Sequence, residues 1–291
     1  MHVYQQGDQW VEGEYPSILA IGDSWFWYPA NNVLEALIRH PRLHPDYGYI
    51  QALGQNGALL QDYVGAGRFA RTMEYHLSFG VRHGFMAFFI SGAGNDAVDY
   101  RLALHDDCSS IADPAACLDP ERTAYLFKQV ASAIGALIFE IRWAYQNEEK
   151  LARPIVIHGY DYAIPDGRGF VSPLGLVRSG PWLAPALDRA GVRPDLAFRT
   201  AVVAALIDGL NDVLMRFHDP ANHVVYIDSR GTLSSGEDYQ FEWANELHPT
   251  RLGFNRIVDE HWIPALAPYG MVRPESAIPV RRTRETVRRP D

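Results

Sequence analysis

The chain has only two cysteines, carries no excess of positive charge, and shows no run of apolar residues long enough to cross a bilayer. Each shortage excludes something. A net charge of −9 is the wrong sign for a nucleic-acid partner, which needs a dense field of Lys and Arg along the phosphate backbone. Without an unbroken apolar stretch near twenty residues no membrane span is expected. The opening MHVYQQGDQWVEGEYPSILA lacks a basic start and an apolar h-region, so the expected location is cytoplasmic unless a leader has been removed. Cys108 and Cys117 lie close together in one Asp- and Pro-containing loop, where a disulfide and two free thiols are both open readings. Two Cys with no His pair at ligand spacing make no zinc site, so no metal is expected. No internal repeat is evident.

What is present is ordinary globular composition, 47% apolar, enough to build a large core over this length. Five short apolar runs read as buried strands: Ser17–Asp23, Tyr47–Leu53, Phe85–Ser91, Pro154–His158 and Val224–Asp228. Amphipathic stretches separate them, clearest over Arg122–Glu148, then Thr200–Arg216 and Thr250–Leu266, with weaker ones at Val33–Arg39 and Leu59–Leu77. Strand alternating with helix predicts an α/β domain over residues 1–270, a parallel five-stranded sheet with helices on both faces. Loop insertions near 99–120 and 162–199 leave the carboxyl ends of strands, where open α/β sheets bind ligands, and are expected to wall a cleft. Residues 271–291 form a basic tail, read as solvated rather than as a surface for an anionic partner.

The chemistry-bearing residues fall at strand ends. Gly22-Asp23-Ser24 closes the first strand and presents a serine hydroxyl at the sheet's carboxyl edge. Gly57 follows the second strand and opens a turn. Asn95 follows the third, with an amide able to donate to a developing oxyanion. The backbone N–H groups of Ser24 and Gly57 and the Asn95 side chain can therefore converge as three donors. His248 precedes Pro249, which holds it in an extended loop before a helix that Thr250 can cap, within reach of Ser24 as a base. Any one of these elements is common in turns. Their order along the chain is specific.

Taken together, GDS, Gly57, Asn95-Asp96 and His248-Pro249 resemble the conserved blocks of the SGNH (GDSL) hydrolases, over Ile18 to about Leu266. The resemblance implies a flavodoxin-like, three-layer α/β/α fold, Ser24 as nucleophile, an oxyanion hole from Ser24, Gly57 and Asn95, and His248 as base. Two departures stand out. The third block, usually Gly-x-Asn-Asp, reads Ala93-Gly94-Asn95-Asp96, and the last, usually Asp-x-x-His, has Asn245 three residues before His248. Asn245 can accept the Nδ1–H bond but brings no charge. The third member is therefore Asn245, or alternatively Glu246, Glu242 or Asp228.

The expected reaction is hydrolysis of a small-molecule carboxylic ester through an acyl-enzyme, with no cofactor. A carbohydrate O-deacetylase or a lipase would use the same scaffold. Trp25 and Trp27 beside the serine, and His158 and Asp161 at the fourth strand's end, are candidate substrate contacts. Two other classes compete: a non-catalytic binding module, and a dinucleotide-dependent oxidoreductase suggested by Gly92-Ala93-Gly94-Asn95-Asp96-Ala97. That second reading requires an uninterrupted helix to follow.

Overall fold

The computed structural model describes residues 1–29, 31–98, 103–145, 153–172 and 174–277, with no side chains for 79–83. Of the basic tail, 278–291 lie outside the described residues, as do 99–102 of the first insertion and the 146–148 end of the longest expected helix.

Six parallel strands form the main sheet: β1 (His2–Tyr4), β2 (Ile18–Gly22), β3 (Tyr49–Gly54), β4 (Ala87–Ser91), β5 (Ile155–His158) and, last in the chain, β8 (Val224–Ile227). Their spatial order is β1-β3-β2-β4-β5-β8. The five expected strands are all present, in the order of flavodoxin-like sheets with the switch point beside β2. The sixth, β1, was not expected. Three residues with half their surface in water give no apolar run, and the strand exists because Val3 and Tyr4 pair with Ile50 and Gln51. A two-stranded hairpin, β6 (Phe170–Val171) with β7 (Arg178–Ser179), stands apart inside the second insertion.

Helices cover both faces, completing a three-layer α/β/α fold. On one side α2 (Val33–Arg39) packs against α8 (Arg251–Ile257), which runs through a π turn at Val258–Trp262 into α9 (Ile263–Leu266). On the other, α3 (Ala70–His83), α5 (Pro120–Ala144) and α7 (Leu196–Met215) pack together. Residues 59–77, expected as one helix, break into a 3-10 turn at Leu60–Tyr63 and the start of α3, where Gly65 (φ +59°) interrupts the ladder.

The 25-residue α5 is, by length and composition, apolar enough to cross a membrane, with a mean hydropathy of 1.4 over its most apolar window. The sequence expectation missed this because Arg122, Lys128, Glu140 and Arg142 interrupt the run. Its Leu126, Val130, Ile134, Leu137 and Ile141 face the protein core. Cys108 and Cys117 are buried free thiols, and Cys108 Sγ points at the Cys117 carbonyl oxygen, 3.6 Å away.

Two short helices begin at strand ends. The α1 turn (Ser24–Trp27) follows β2, and α4 (Gly94–Val98) follows β4; α6 (Ala184–Arg189) belongs to the second insertion. These strand-end turns, together with the loop before α8, set out the site.

Candidate active site

The Ser24 side of the site is built around a buried carboxylate. Asp23 caps α1: its Oδ1 accepts from Trp25 N at 3.0 Å and from the Ser91 hydroxyl at 2.7 Å. Its Oδ2 accepts from the Tyr160 hydroxyl at 2.6 Å. Three donors drawn from β4, the segment just after β5, and α1 thus hold the turn that carries Ser24, which is 8% exposed at the head of the helix. Tyr63 adds a fourth tie, donating to the Gly22 carbonyl at 2.6 Å.

Gly57 sits at φ +79° with open space where a side chain would stand, and it lines the cleft. Asn95 spends one amide hydrogen on the Ala58 carbonyl at 3.1 Å and keeps the other for a ligand. Two residues before it, Ala93 adopts φ +90° with its methyl fully buried. This is the position at which the resembling block carries glycine, and an alanine there is strained.

His248, the expected base, is carried by a tight turn. A bridge between Trp243 and Pro249 closes the segment, and Ala244 N donates to the His248 carbonyl at 2.9 Å. Within that turn Asn245 Oδ1 receives Leu247 N, His248 N and His248 Nδ1, each at 3.0 Å. Nδ1 is therefore the protonated nitrogen, and Nε2 is left as the proton acceptor, buried and without a hydrogen-bond partner among the described residues. Burial pushes the imidazole pKa down to about 3, since desolvation penalises the charged ring. Trp25 joins the halves directly, its Nε1 donating to the Leu247 carbonyl at 3.1 Å.

Ser24, Gly57, Asn95 and His248 all line one cleft of about 190 Å³, walled further by Tyr28, Asn56, Phe170 and Trp182. The last two come from the second insertion. Ser24 and Asn95 also border a smaller apolar pocket of about 40 Å³, lined by Ala97, Val98, Ile207, Leu210 and Trp243. The serine stands at the junction of the two.

The other candidates lie elsewhere. Glu246 is fully buried and turned into the insertion: its oxygens accept from Gly167 N (3.0 Å), Trp182 N (2.6 Å), Leu183 N (2.8 Å) and Ala184 N (3.0 Å). Asp228 pairs with Arg230 at 2.6 Å and Glu242 with Arg256 at 3.0 Å. Among the described residues none of these three carboxylates hydrogen-bonds the imidazole. Trp25 and Asp161 border the small pocket, but Asp161 is 2% exposed and accepts from three backbone N–H groups. His158 is core, packed among Trp25, Phe26 and Trp262, and Trp27 is packed against the core. Neither lines either cavity. The helix that opens at Gly94 is described as far as Val98, and the 99–102 stretch over which a dinucleotide fingerprint would have to continue lies outside the described residues.

Sequence reasoning missed Glu246 as an anchor, the stacking of Tyr28 on His248 and the Trp25–Leu247 tie. The last links positions 222 apart in the chain, which no local pattern reports.

No family model and no curated protein matches the sequence. Three solved structures are similar to it at low identity. A putative GDSL-like lipase from Parabacteroides merdae is 10% identical over 87% of this chain and 95% of its own, with a TM-score of 0.42. An acetyl esterase mutant bound to acetate is 12% identical over 88% and 96%, with a TM-score of 0.39. A protein from Arabidopsis thaliana is 12% identical over 76% of this chain, which spans only 59% of the plant protein, with a TM-score of 0.38. The chemistry of the present site rests on its own residues.

Proposed function

We propose that this protein hydrolyses short-chain carboxylic esters through an acyl-enzyme at Ser24. The observation that carries this reading is the shared cleft. It brings the Ser24 hydroxyl, an unpaired buried imidazole nitrogen and three candidate oxyanion donors to one surface.

The Ser24 O–H proton passes to His248 Nε2 as Oγ attacks the ester carbonyl, whose π pair moves onto oxygen. The N–H groups of Ser24 and Gly57 and the Asn95 amide take up that charge. Among the described residues neither backbone N–H has a protein acceptor, so both remain free to donate. Collapse expels the alcohol, which takes the proton back from Nε2, and water repeats the sequence to release the acid. Throughout, Asn245 Oδ1 holds Nδ1–H and so fixes the tautomer.

The small pocket limits the acyl group. A cavity needs roughly 10–15 Å³ on this measure to hold one water, so about 40 Å³ suits an acetyl or propionyl group. The alcohol occupies the wider, aromatic-walled cleft. This favours O-deacetylation of a bulky alcohol over hydrolysis of long acyl chains by a lipase. Fluorophosphonate labelling of Ser24 and turnover of p-nitrophenyl acetate, butyrate and octanoate test the proposal together. Expected are covalent modification of wild type, none of Ser24→Ala, and turnover falling steeply with chain length. An unlabelled wild-type protein with no esterase activity would end the reading.

A further inference from the structure

The unsettled point in this site is what supports the imidazolium once the proton arrives. A Ser-His-Asp system answers with a carboxylate; here Nδ1 faces a neutral amide. The groups around the ring come from three elements. The loop after α1 brings Tyr28, the second insertion brings Trp182, and the ring's own turn brings Asn245. Glu246 neighbours the turn, but both its oxygens are spent on backbone N–H groups.

Trp182 meets the imidazole with its edge, 5.8 Å between centroids at 75°. Tyr28 meets it face to face, 4.2 Å between centroids at 14°. The same tyrosine accepts from Asn245 Nδ2 at 3.1 Å. The backbone N–H groups of Leu247 and His248, which can only donate, decide which way the amide points and present Oδ1 to His248 Nδ1; the phenol oxygen then anchors the Nδ2 end. Phe170 packs its edge on the Tyr28 ring at 5.5 Å, holding it from the side.

From this geometry we infer that Tyr28 is a positioning residue for His248, whose ring face supports the imidazolium while its phenol oxygen accepts from the Asn245 amide, in place of a charged third member. The inference rests on the serine-hydrolase reading above. An aromatic face attracts a planar cation within about 6 Å, and more strongly where water is excluded. Chain geometry explains the placement. Tyr28 N donates to the Ser24 carbonyl at 2.6 Å, so the single turn of α1 starts with the nucleophile and ends with the support for its base.

The test is a cycle of variants assayed on p-nitrophenyl acetate, with fluorophosphonate labelling rates and Tm measured in parallel. Tyr28→Leu should lose roughly tenfold to thirtyfold in kcat, with KM within about threefold of wild type. Tyr28→Phe keeps the face and should lose no more than about threefold. In an Asn245→Asp background a carboxylate supplies the charge, so adding Tyr28→Leu should cost less than about threefold; that coupling is what a merely structural role would not produce. Tyr28→Met replaces the leucine variant if the latter's Tm collapses. Equal losses in both backgrounds, a phenylalanine variant as slow as leucine, or no loss in either non-aromatic variant would overturn the inference and leave the hydrolase reading standing. Failure of wild type to label would overturn both.

Discussion

A buried carboxylate anchors each half of the site, one beneath the serine turn and one turned away from the histidine. On the nucleophile side Asp23 lies directly under Ser24 and gathers Ser91, Tyr160 and Trp25 N around the turn. On the base side Glu246 lies two residues from His248 yet turns from it, gathering four backbone N–H groups of the second insertion. Charge thus fixes the backbone in both halves, while the imidazole itself is held by a neutral amide. A buried carboxylate saturated with donors is well satisfied where it is, and swinging it toward the ring would orphan those donors.

The sharpest way to break this comparison is Asp23→Ala. It leaves the Ser91 and Tyr160 hydroxyls and the Trp25 N–H without their acceptor, which should cost about 3 kcal/mol or more and abolish activity with it. Denaturant unfolding measures the first and ester turnover the second. Glu246→Ala should destabilise by about 2–3 kcal/mol for the same reason, but its damage should be local. Proteolysis within 162–199 should accelerate, and Ser24 should still label, if slowly. Equal loss of labelling in the two variants would mean that Glu246 serves the chemistry directly.

Asn245→Asp sharpens the comparison from the other side. Wild-type His248 is neutral well below pH 5, because burial holds its pKa near 3, so kcat/KM should be flat from pH 5 to 8. An aspartate at 245 favours the charged ring and should move the acid limb upward by a unit or more while raising kcat about tenfold. A pH–rate profile that does not move would show that the amide is already doing all the site requires.

Much of this was legible from residues alone, and the reason is local. The five core strands are buried on both faces and so read as continuous apolar runs. Asn245 and His248 are three residues apart in one turn, so their hydrogen bond is a sequence-level expectation. What failed to show depends on distant partners. β1 exists only through its pairing with β3, His158 faces inward because Trp25 and Trp262 enclose it, and Tyr28 meets His248 from 220 positions away. Glu246 looked like a candidate acid because its spacing to the histidine says nothing of the insertion that folds over it.

A smaller effect separates the halves by pH. Burial raises the Asp96 pKa to about 6, beside the proposed oxyanion donor Asn95, although Leu60 N donates to it at 3.1 Å. The folded protein therefore prefers the protonated acid. The stability this gives is complete below an ordinary carboxylate pKa near 3.8 and is lost as pH rises through 6. Asp96→Asn mimics the protonated form and should gain about 1–2 kcal/mol over wild type at pH 8 but little at pH 4, read as the difference in Tm.

The smallest expected change lies at Ala93, where the nucleophile half keeps a strained residue. Holding alanine at φ +90° costs about 1–2 kcal/mol. Glycine would relieve that cost, but it loses a buried methyl worth about 0.8 kcal/mol and adds about 0.4–1 kcal/mol of unfolded-chain entropy. The contributions nearly cancel, so Ala93→Gly should shift stability by less than about 1 kcal/mol in a denaturant titration. Ala93→Val makes the contrast, because a β-branched side chain tolerates positive φ far less well and has no space in a fully buried position. A glycine variant more stable by 2 kcal/mol or more, with slower turnover, would mean that the strain at Ala93 is held for the sake of Asn95, and that this half of the site is tuned as well as anchored.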